Sequence, residues 1–521
     1  MTRRSAMADE LNMTAWRGRW PTLYRARWRV ATVLLPTLLA ACAVGPDYQR
    51  PAVPVPQTWQ LDPEYANWRP AEPTHAQLDD AWWRAFGIDE LNALEQRALD
   101  NNPTLHEAAA HYDQARAVLE AVSSKQLPEL GVGAEASRGR ISANRPLTEY
   151  GTPNYETVQN DFKANAWASW EIDLFGRVRR SVEAARASAE QSADDFANAR
   201  LALTAQLASA YFALRAIDDE RDVLERSVSW QQKALDFVSA QERFGQVSQL
   251  GVLQQRTELD TTRVQLRLLM TQRAQYEHAI ATMIGEPAPQ FTLAPNRSAY
   301  TLPVLPTGLP SELLQRRPDV AAAERTMAAA NARIGVARAA YFPSLTLSPE
   351  IGWQSAQFAS LATVPSLVWS IGASVSQAVF DGGRRAAQVR FESAGYVAAQ
   401  ARYRAAALSA FQEVQDGVTN LDVLNAAASE SREAVDDAQR LLALATYRYR
   451  DGMVTYLDVI DAQRQMLKNE RALAQIRGRQ AGSVVFLARA LGGGWRDPAV
   501  AANESVAGGV APQPSEWTGN R

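Results

Sequence analysis

The chain shows two kinds of hydrophobic pattern, and each kind occurs twice. After Pro128 and again after Pro343, apolar and polar residues alternate with a period of two, which is typical of strands whose two faces meet different surroundings. Each alternating region leads into a long proline-free stretch, at about 176–244 and 383–450. We predict a long helix over each stretch, and at about 1.5 Å per residue each helix extends on the order of 100 Å.

The two halves of the chain match each other at fixed offsets. Four pairs of landmarks carry this match: Pro103 with Pro318 and Pro128 with Pro343 at an offset of 215 residues, and Gly245 with Gly452 and Gly285 with Gly492 at an offset of 207. The two offsets differ by 8 residues, so the halves differ in length between the first two pairs and the last two. A repeat of this length indicates a duplicated subdomain and not a solenoid unit.

Each copy is predicted to contain a hairpin of two strands, at about 128–146 and 158–175 in the first copy and about 343–356 and 365–380 in the second. One face of these strands is apolar and the other is small or polar, and in the second strand of the first hairpin Trp167 is the one large apolar residue on the polar side. This alternation is typical of an outer-membrane barrel strand, although a half-buried strand of a soluble sandwich fits it equally well. Because four strands are too few to close a barrel, they form either a small soluble sheet or part of a barrel that several chains share.

The long helices carry apolar stripes that predict packing against neighbouring helices. In the first helix the stripe follows an alternating four-three spacing from Leu203 to Val238, and a sustained seven-residue repeat indicates a left-handed supercoil. The second helix is richer in alanine, and small residues let helices approach closely. After each long helix a glycine turn leads into a return helix of about 35 residues, which ends near Gly285 or Gly492.

The N-terminal region has the pattern of a secreted lipoprotein. Arginines at 25, 27 and 29 precede a short apolar run, which is too short to span a bilayer and ends in Leu-Ala-Ala-Cys, a sequence that resembles a bacterial lipobox. We predict a signal peptide over 1–41 and acyl chains on Cys42, which is the only cysteine. Ala43 is not the Asp that favours inner-membrane retention, so the predicted location is the outer membrane, with the protein extending into the periplasm.

The remaining boundaries follow from proline content and from the repeat. Prolines at 46, 51, 54, 56, 63, 70 and 73 exclude a helix, so we predict an extended strap over 42–82. The first copy is placed at 83–295 and the second at 296–495, followed by a disordered tail over 496–521. The start of translation stays open among Met1, Met7 and Met13.

Composition and motifs exclude several classes of function. The net charge of -3 gives no reason to expect nucleic acid as a partner, and one cysteine cannot form an intramolecular disulfide. The chain has no phosphate-binding glycine loop, HExxH pair or GxSxG elbow, and its histidines at 75, 106, 111 and 278 are scattered. We therefore predict that the protein is not an enzyme and holds no metal or cofactor apart from the covalent lipid on Cys42.

Together these features resemble the outer-membrane factor family, the TolC-like channel-tunnels, and in particular its NodT-type lipoprotein branch. The motifs that carry the resemblance are Cys42-Ala43-Val44-Gly45-Pro46-Asp47-Tyr48 with Pro51, Trp82-Trp83 followed by Leu91 and Asn102-Pro103, the strand entries at Pro128 and Pro343, Phe380-Asp381-Gly382-Gly383-Arg384, Tyr456-Leu457-Asp458-Val459-Ile460-Asp461-Ala462-Gln463 and Leu491-Gly492-Gly493-Gly494-Trp495. They run from Cys42 to Trp495, nearly the whole mature chain.

The resemblance implies a fold class and an assembly. The fold is mainly α with a β-barrel portion, in a duplicated helix–hairpin–long-helix unit. Three chains in a homotrimer would close a twelve-stranded outer-membrane β-barrel, which a periplasmic α-helical barrel continues. The implied partners are a periplasmic adaptor protein and an inner-membrane pump of the resistance-nodulation-division class, with the outer-membrane lipid around the barrel.

The resemblance also implies a periplasmic gate where the second return helix begins. By motif, the hydrophobic ring falls on Leu457 and the acidic ring on Asp461, four residues apart and so on one helix face. Arg450 is a candidate for the basic residue that latches the closed end. Asp458 replaces Asp461 in this role if the helix is rotated, and ordinary coiled-coil packing is the alternative role for Leu457.

The two helix-tip turns are the implied contact sites for the adaptor. Their candidate residues are Gly245, Val247 and Ser248 in the first copy and Gly452, Val454 and Thr455 in the second. The first turn is expected to be about two residues shorter than the second. Gly251 and Gln254 stand in the first copy where Asp458 and Asp461 stand in the second, so the acidic ring is expected on the second copy alone.

The resulting prediction is a passive outer-membrane channel-tunnel lipoprotein, the exit duct of a tripartite efflux pump for drugs or other small toxic compounds. Two alternatives stay open at this point. The duct could instead serve a type I-like protein secretion system, or the chain could be a periplasmic coiled-coil scaffold lipoprotein. The sequence does not name the exported substrate, the partner pump and adaptor, or the way in which the gate opens.

Overall fold

The computed structural model describes residues 44–56, 59, 80–142, 157–296, 301–303, 305 and 316–495. The predicted signal peptide, Cys42, most of the second half of the predicted strap and the predicted tail from 496 onward lie outside the described residues. Within those ranges, no helix combines the length and the apolar composition that a membrane crossing requires.

The elements follow one another in the order that the duplication predicts. The helices are α1 (Asp89–Asn101), α2 (Pro103–Ser123), α3 (Arg177–Arg243), α4 (Gln249–Met283), α5 (Pro318–Ala339), α6 (Arg384–Arg450) and α7 (Tyr456–Ala490). The strands are β1 (Glu129–Ile141), β2 (Thr157–Ile172), β3 (Ser344–Ser355) and β4 (Leu367–Ser376). The chain divides into two compact units, a sheet unit containing the described residues of 44–45, 128–179 and 338–380 and a helical unit containing the described residues of 46–127, 180–337 and 381–495.

The duplication is visible in the lengths of the elements. The long helices α3 and α6 both have 67 residues, and the return helices α4 and α7 both have 35. The strands differ, since β2 has 16 residues and β4 has 10. The 8-residue difference between the two offsets therefore lies in the hairpins, while the helical parts of the repeats keep their length.

The sheet unit is a four-stranded antiparallel sheet in the order β1-β2-β3-β4. Within the described residues β1 and β4 each pair with one neighbour and form the two edges. Much of the apolar face is exposed, as Val132 at 87% and Ile371 at 79% exposure illustrate, while Phe162 and Leu347 on this face are half-buried. The strands are shorter than predicted: β2 ends at Ile172 rather than about 175, and β4 ends at Ser376 rather than about 380.

The core of the helical unit forms along the predicted stripes. Leu207, Leu214 and Val238 of α3 are fully or almost fully buried, as are Val414 and Val418 of α6. The period-3.6 pattern thus identified the packed faces of both long helices. Burying these side chains contributes about 1.5–3 kcal/mol each relative to exposure.

The described part of the strap is fixed to the helical unit by polar contacts. The hydroxyl of Tyr48 donates to Glu324 of α5 at 2.8 Å, and Arg180 of α3 donates to Asp47 at 2.7 Å. Glu324 is almost fully buried, and burial together with this hydrogen bond raises the pKa of Tyr48 well above its usual range. Because the segment contains four prolines, at 46, 51, 54 and 56, these contacts fix a chain that has no helix of its own.

Candidate functional site

The second helix-tip turn joins α6 to α7 through five residues, 451–455. The amide of Gly452 donates to the Tyr449 carbonyl at 3.0 Å, and the amide of Met453 donates to the Arg448 carbonyl at 2.9 Å. This is the arrangement of a helix end that closes on a left-handed residue. Gly452 has a φ of 73°, which explains why glycine occupies the position.

The first helix-tip turn, 244–248, has the same length and the same hydrogen bonds. The amide of Gly245 donates to Glu242 at 2.8 Å, the amide of Gln246 donates to Gln241 at 2.9 Å, and the φ of Gly245 is 71°. The expectation that the first turn is about two residues shorter was therefore wrong. Since both turns use one glycine-closed cap, the cap fixes the length of each. Val247 and Val454 are both half-buried, while the other turn residues are exposed.

The two return helices begin differently. Thr455 and Asp458 form a capping box at the start of α7: the Thr455 amide donates to Asp458 Oδ2 at 2.9 Å and the Thr455 hydroxyl donates to it at 2.7 Å. The hydrogen bond from Thr455 is the main reason that the pKa of Asp458 lies below its usual value. At the start of α4 the matching residues are Ser248 and Gly251, and no side-chain cap is present there. The Asp458 carboxylate therefore belongs to the N-terminal cap of its own helix.

The candidate ring residues Leu457 and Asp461 lie on one exposed face of α7. Leu457 is 44% exposed and the Asp461 side chain is 64% exposed, while Val459 and Ile460 on the opposite face are buried. This places the two residues on a surface that the rest of the described chain does not cover. Packing inside one chain therefore covers Leu457 only in part.

Asp461 begins a row of charges that joins the two repeats. Its carboxylate lies 3.6 Å from a guanidinium nitrogen of Arg464, one turn along α7. Arg464 also donates to Glu258 of α4 at 2.7 Å. Because the Arg464 guanidinium lies between the carboxylates of Asp461 and Glu258, it can form an ion pair with either of them. Arg464 and Glu258 were not among the predicted site residues.

Arg450, the candidate latch, is the last residue of α6 and is exposed. No ion pair of Arg450 occurs within the described ranges, so a single chain does not bring it together with Asp461. A carboxylate that pairs with Arg450 would have to belong to a neighbouring copy of the chain.

Two tyrosines at the ends of the second turn make the contacts that hold the tip. The Tyr449 hydroxyl donates to Gln241 of α3 at 2.8 Å, and the Tyr456 hydroxyl donates to Gln255 of α4 at 3.0 Å. Gln255 is fully buried and donates to the Gln231 carbonyl at 3.1 Å, which fixes the orientation of its amide. The tyrosine rings lie 5.2 Å apart in an edge arrangement. These hydrogen bonds therefore connect the two repeats at the tip.

The tyrosine hydroxyls are held in their neutral, donating form. Burial raises the pKa of Tyr456 to about 12, and the nearby Tyr449 adds to the effect. Burial also raises the pKa of Tyr449 above its usual value. We call the contacts of Tyr449 and Tyr456 the tyrosine latch. Its signal in the sequence is a tyrosine on each side of the second turn, where the first copy has Glu242 and Gln249.

A second contact between the repeats lies farther along α7. Arg471 donates to Glu220 of α3 at 2.8 and 2.5 Å and to Gln265 of α4 at 3.1 Å, and Gln475 donates to Glu220 at 3.2 Å. Glu220 is almost fully buried, so these hydrogen bonds to its carboxylate are worth more than a surface ion pair. The contacts of α7 with the first repeat thus extend well beyond the tip.

Comparison with known proteins gives the context for this geometry. A family model described as "Outer membrane efflux protein" matches residues 94–286 and 309–493. The chain is 32% identical over 471 residues to the probable efflux pump outer membrane protein SepC of Pseudomonas putida, covering 89% of this chain and 96% of that one. It is 31% identical over 485 residues to the outer membrane protein OprJ of Pseudomonas aeruginosa, with coverage of 89% and 96%.

A solved structure resembles the fold over nearly the same range. The outer-membrane channel OprN superposes with a TM-score of 0.79 at 29% identity, and the match covers 88% of this chain and all of that one. The predicted fold class, mainly α with a β portion in a duplicated unit, is confirmed by this likeness and by the observed elements.

Proposed function

Because the chain belongs to the outer membrane efflux protein family, we propose that it forms the exit duct of a tripartite efflux pump for small toxic compounds. The observation that carries this proposal is the sheet unit. Its four strands leave two edges in the described residues and one apolar face that is largely exposed, an arrangement that a water-soluble domain avoids.

Three copies of the chain solve this problem. If β4 of each copy pairs with β1 of the next, twelve strands close into a barrel, the edges disappear and the apolar face meets lipid. Backbone groups in the hydrocarbon region then have internal partners, which the bilayer requires. The long helices α3 and α6 have exposed apolar side chains, such as Phe391 at 70% exposure, that a neighbouring copy would cover.

The gate of this duct is formed by the exposed face of α7. In a trimer, three copies of Leu457 around the axis exclude water, and three copies of Asp461 bind cations and repel one another. The tyrosine latch and the Arg464–Glu258 contact hold α7 against the first repeat and so favour the closed tip. Arg450, at the end of α6, is free to reach a carboxylate of the adjacent copy. Opening requires α7 to leave these partners.

The anchoring and the partners complete the proposal. Cleavage before Cys42 leaves a lipidated terminus, and acyl chains there hold the strap at the outer membrane. The two helix-tip turns, with Gly245, Val247 and Ser248 in one and Gly452, Val454 and Thr455 in the other, meet a periplasmic adaptor. An inner-membrane pump of the resistance-nodulation-division class supplies the energy, since a passive duct does no work of its own.

The proposal is tested by purification and by phenotype. The expected product is a detergent-extracted trimer that resists heat, shows a β signal and gives single channels in planar bilayers. A strain without the gene is expected to become sensitive to several compounds in a panel of toxic molecules. A monomer released without detergent would contradict the duct. Unchanged sensitivity together with blocked export of a polypeptide would contradict the efflux role and would assign the duct to a protein secretion system.

A further inference from the structure

One aromatic ring lies on the polar face of the sheet. Trp167 is in the middle of β2 and is 36% exposed. Its direct cross-strand neighbours on the same face are Gly131 of β1 and Glu350 of β3. The other aromatic residues of the described strands, such as Trp170 and Trp369, have the opposite register and belong to the apolar face.

Glycines of β1 provide the surface on which this ring lies. A Cβ atom at Gly131 would overlap Cε2 and Cζ2 of the Trp167 indole, so the indole lies across the backbone of β1 at that point. A Cβ atom at Gly133 would lie 2.7 Å from the Asn165 amide oxygen, so Asn165 lies over the next glycine in the same way. One side of the indole lies against the glycine backbone, and 36% of the side chain is exposed, so a ligand can reach the ring.

A carboxylate stands beside the ring. Glu350 accepts a hydrogen bond of 2.6 Å from the Asn165 amide, and no cationic partner of Glu350 is found in the described part of the chain. Directly opposed residues of antiparallel strands have Cβ atoms about 5 Å apart, so the Glu350 carboxylate and the Trp167 indole can contact one ligand.

The charge of the whole face points to the sign of that ligand. The face carries five carboxylates and a single lysine among the described residues: Glu129, Glu135, Asp161, Glu171 and Glu350 against Lys163. Lys163 pairs with Asp161, and Glu171 pairs with Arg177. The surface around Trp167 is therefore acidic and attracts cations while it repels anions.

We propose that Trp167, Asn165 and Glu350 form a binding subsite for organic cations on the wall of the duct. The site rests on the proposed function, because the trimer turns the polar face toward the pore and supplies three copies. A quaternary ammonium or aromatic cation would bind with its charge near Glu350 and with its methyl groups or ring on the free side of the indole. Cation–π contact and charge pairing act together in such a site.

The test uses purified trimers in planar bilayers with two probes of similar size and opposite charge, benzyltrimethylammonium and benzenesulfonate. The cation is expected to block the current at lower concentration than the anion. Trp167→Ala is expected to raise the half-blocking concentration of the cation about three- to tenfold, and Glu350→Gln is expected to act in the same direction. Block by the anion is expected to be unchanged or stronger in Glu350→Gln.

Two further variants separate the site from general damage to the sheet. Trp369→Ala removes an exposed tryptophan from the opposite face and is expected to leave the block unchanged. Gly131→Ala keeps Trp167 but displaces its indole, so it is expected to weaken the block by the cation. If Trp167→Ala gives no trimer, Trp167→Phe and Glu350→Gln carry the test, since the phenylalanine ring retains part of the block.

The outcomes distinguish the subsite from the duct. Channels that the cation blocks equally in the wild type, Trp167→Ala and Glu350→Gln would overturn the subsite and leave the duct intact, as would equal block by the anion. Absence of channels would contradict the duct. The subsite is then judged by quenching of tryptophan fluorescence in detergent, where benzyltrimethylammonium must quench Trp369→Ala but not Trp167→Ala for the proposal to stand.

Discussion

The two helix-tip turns of the chain have the same backbone and different chemistry. Both turns contain five residues and close on a glycine with a φ near 72°, being 71° at Gly245 and 73° at Gly452. The side chains that hold the tip, however, are divided between the repeats. The donors Tyr449, Tyr456 and Arg464 all belong to the second repeat, and the acceptors Gln241, Gln255 and Glu258 all belong to the first.

In the proposed gate, this division places the contacts that hold the closed tip between the two copies of a duplicated fold. The glycine cap was retained in both copies because the turn needs it, so it contributes the same geometry to each. The return helix α7 carries the donors Tyr456 and Arg464 and begins with a capping box. The return helix α4 carries the acceptors Gln255 and Glu258 and begins without a side-chain cap. These contacts lie between the repeats and not within the turns, so the proposed opening would break them without unfolding either turn.

The largest effect is expected from removing both tyrosine hydroxyls. Tyr449→Phe combined with Tyr456→Phe removes two hydrogen bonds and leaves the buried Gln255 amide oxygen without its donor. At about 1 kcal/mol for each bond, and more for the buried oxygen, the ratio of open to closed tips is expected to rise about tenfold or more. Single-channel recording in planar bilayers measures this ratio.

The matched positions of the first repeat provide the control for the tyrosines. Glu242 and Gln249 are exposed, and Glu242→Ala with Gln249→Ala is expected to leave the open fraction unchanged. An equal rise in both double variants would show that the tip is merely sensitive to substitution and that the latch is not specific to the second repeat.

The same hydroxyls give the latch a pH window. Tyr456 must be protonated to donate, and its pKa is raised by burial to about 12 from an ordinary value of 10.0. Its contribution is therefore fully present below pH 10 and is lost as the pH rises through about 12. Recordings across pH 9–12 are expected to show the open fraction rising only near the upper end, and Tyr456→Phe is expected to flatten that rise.

A smaller effect is expected from the ring residues. Leu457→Ala or Asp461→Ala leaves the latch in place and widens only the closed opening, so single-channel conductance is expected to increase, by a smaller factor than the open-to-closed ratio rises in the tyrosine double variant. Leu250→Ala and Gln254→Ala, at the matched positions of α4, are expected to have no effect. If conductance is unchanged in both α7 variants, the assignment of the gate to Leu457 and Asp461 fails.

Sequence reasoning succeeded where the signal is local and periodic. The stripe from Leu203 to Val238 and the residue Val414 are buried because a seven-residue repeat fixes which face of a helix packs. The alternation around Trp170 likewise identified the strand and its apolar face. These features need no knowledge of which element lies against which.

The tip contacts could not be predicted in this way. A tyrosine beside a turn has many possible partners, and Gln241 lies 208 residues from Tyr449 in the chain. Only the packing of α6 against α3 brings them together. The capping box, by contrast, was predictable from the sequence, because Thr455 and Asp458 have the three-residue spacing of such a cap. The prediction for Asp458 did not use this local motif.

The smallest effect is expected from transferring the cap to the first repeat. Gly251→Asp places a carboxylate three residues after Ser248, as Asp458 stands after Thr455, and the nearest atom to a new Cβ is Val238 Cγ1 at an ordinary 3.9 Å. Hydrogen exchange in the first turn of α4 is expected to slow about fivefold, since a cap contributes about 1 kcal/mol. Gly251→Ala is the control, because replacing glycine alone favours a helix. Slower exchange in the aspartate variant than in the alanine variant isolates the cap, whereas equal rates would show that the different helix starts do not distinguish the two tips.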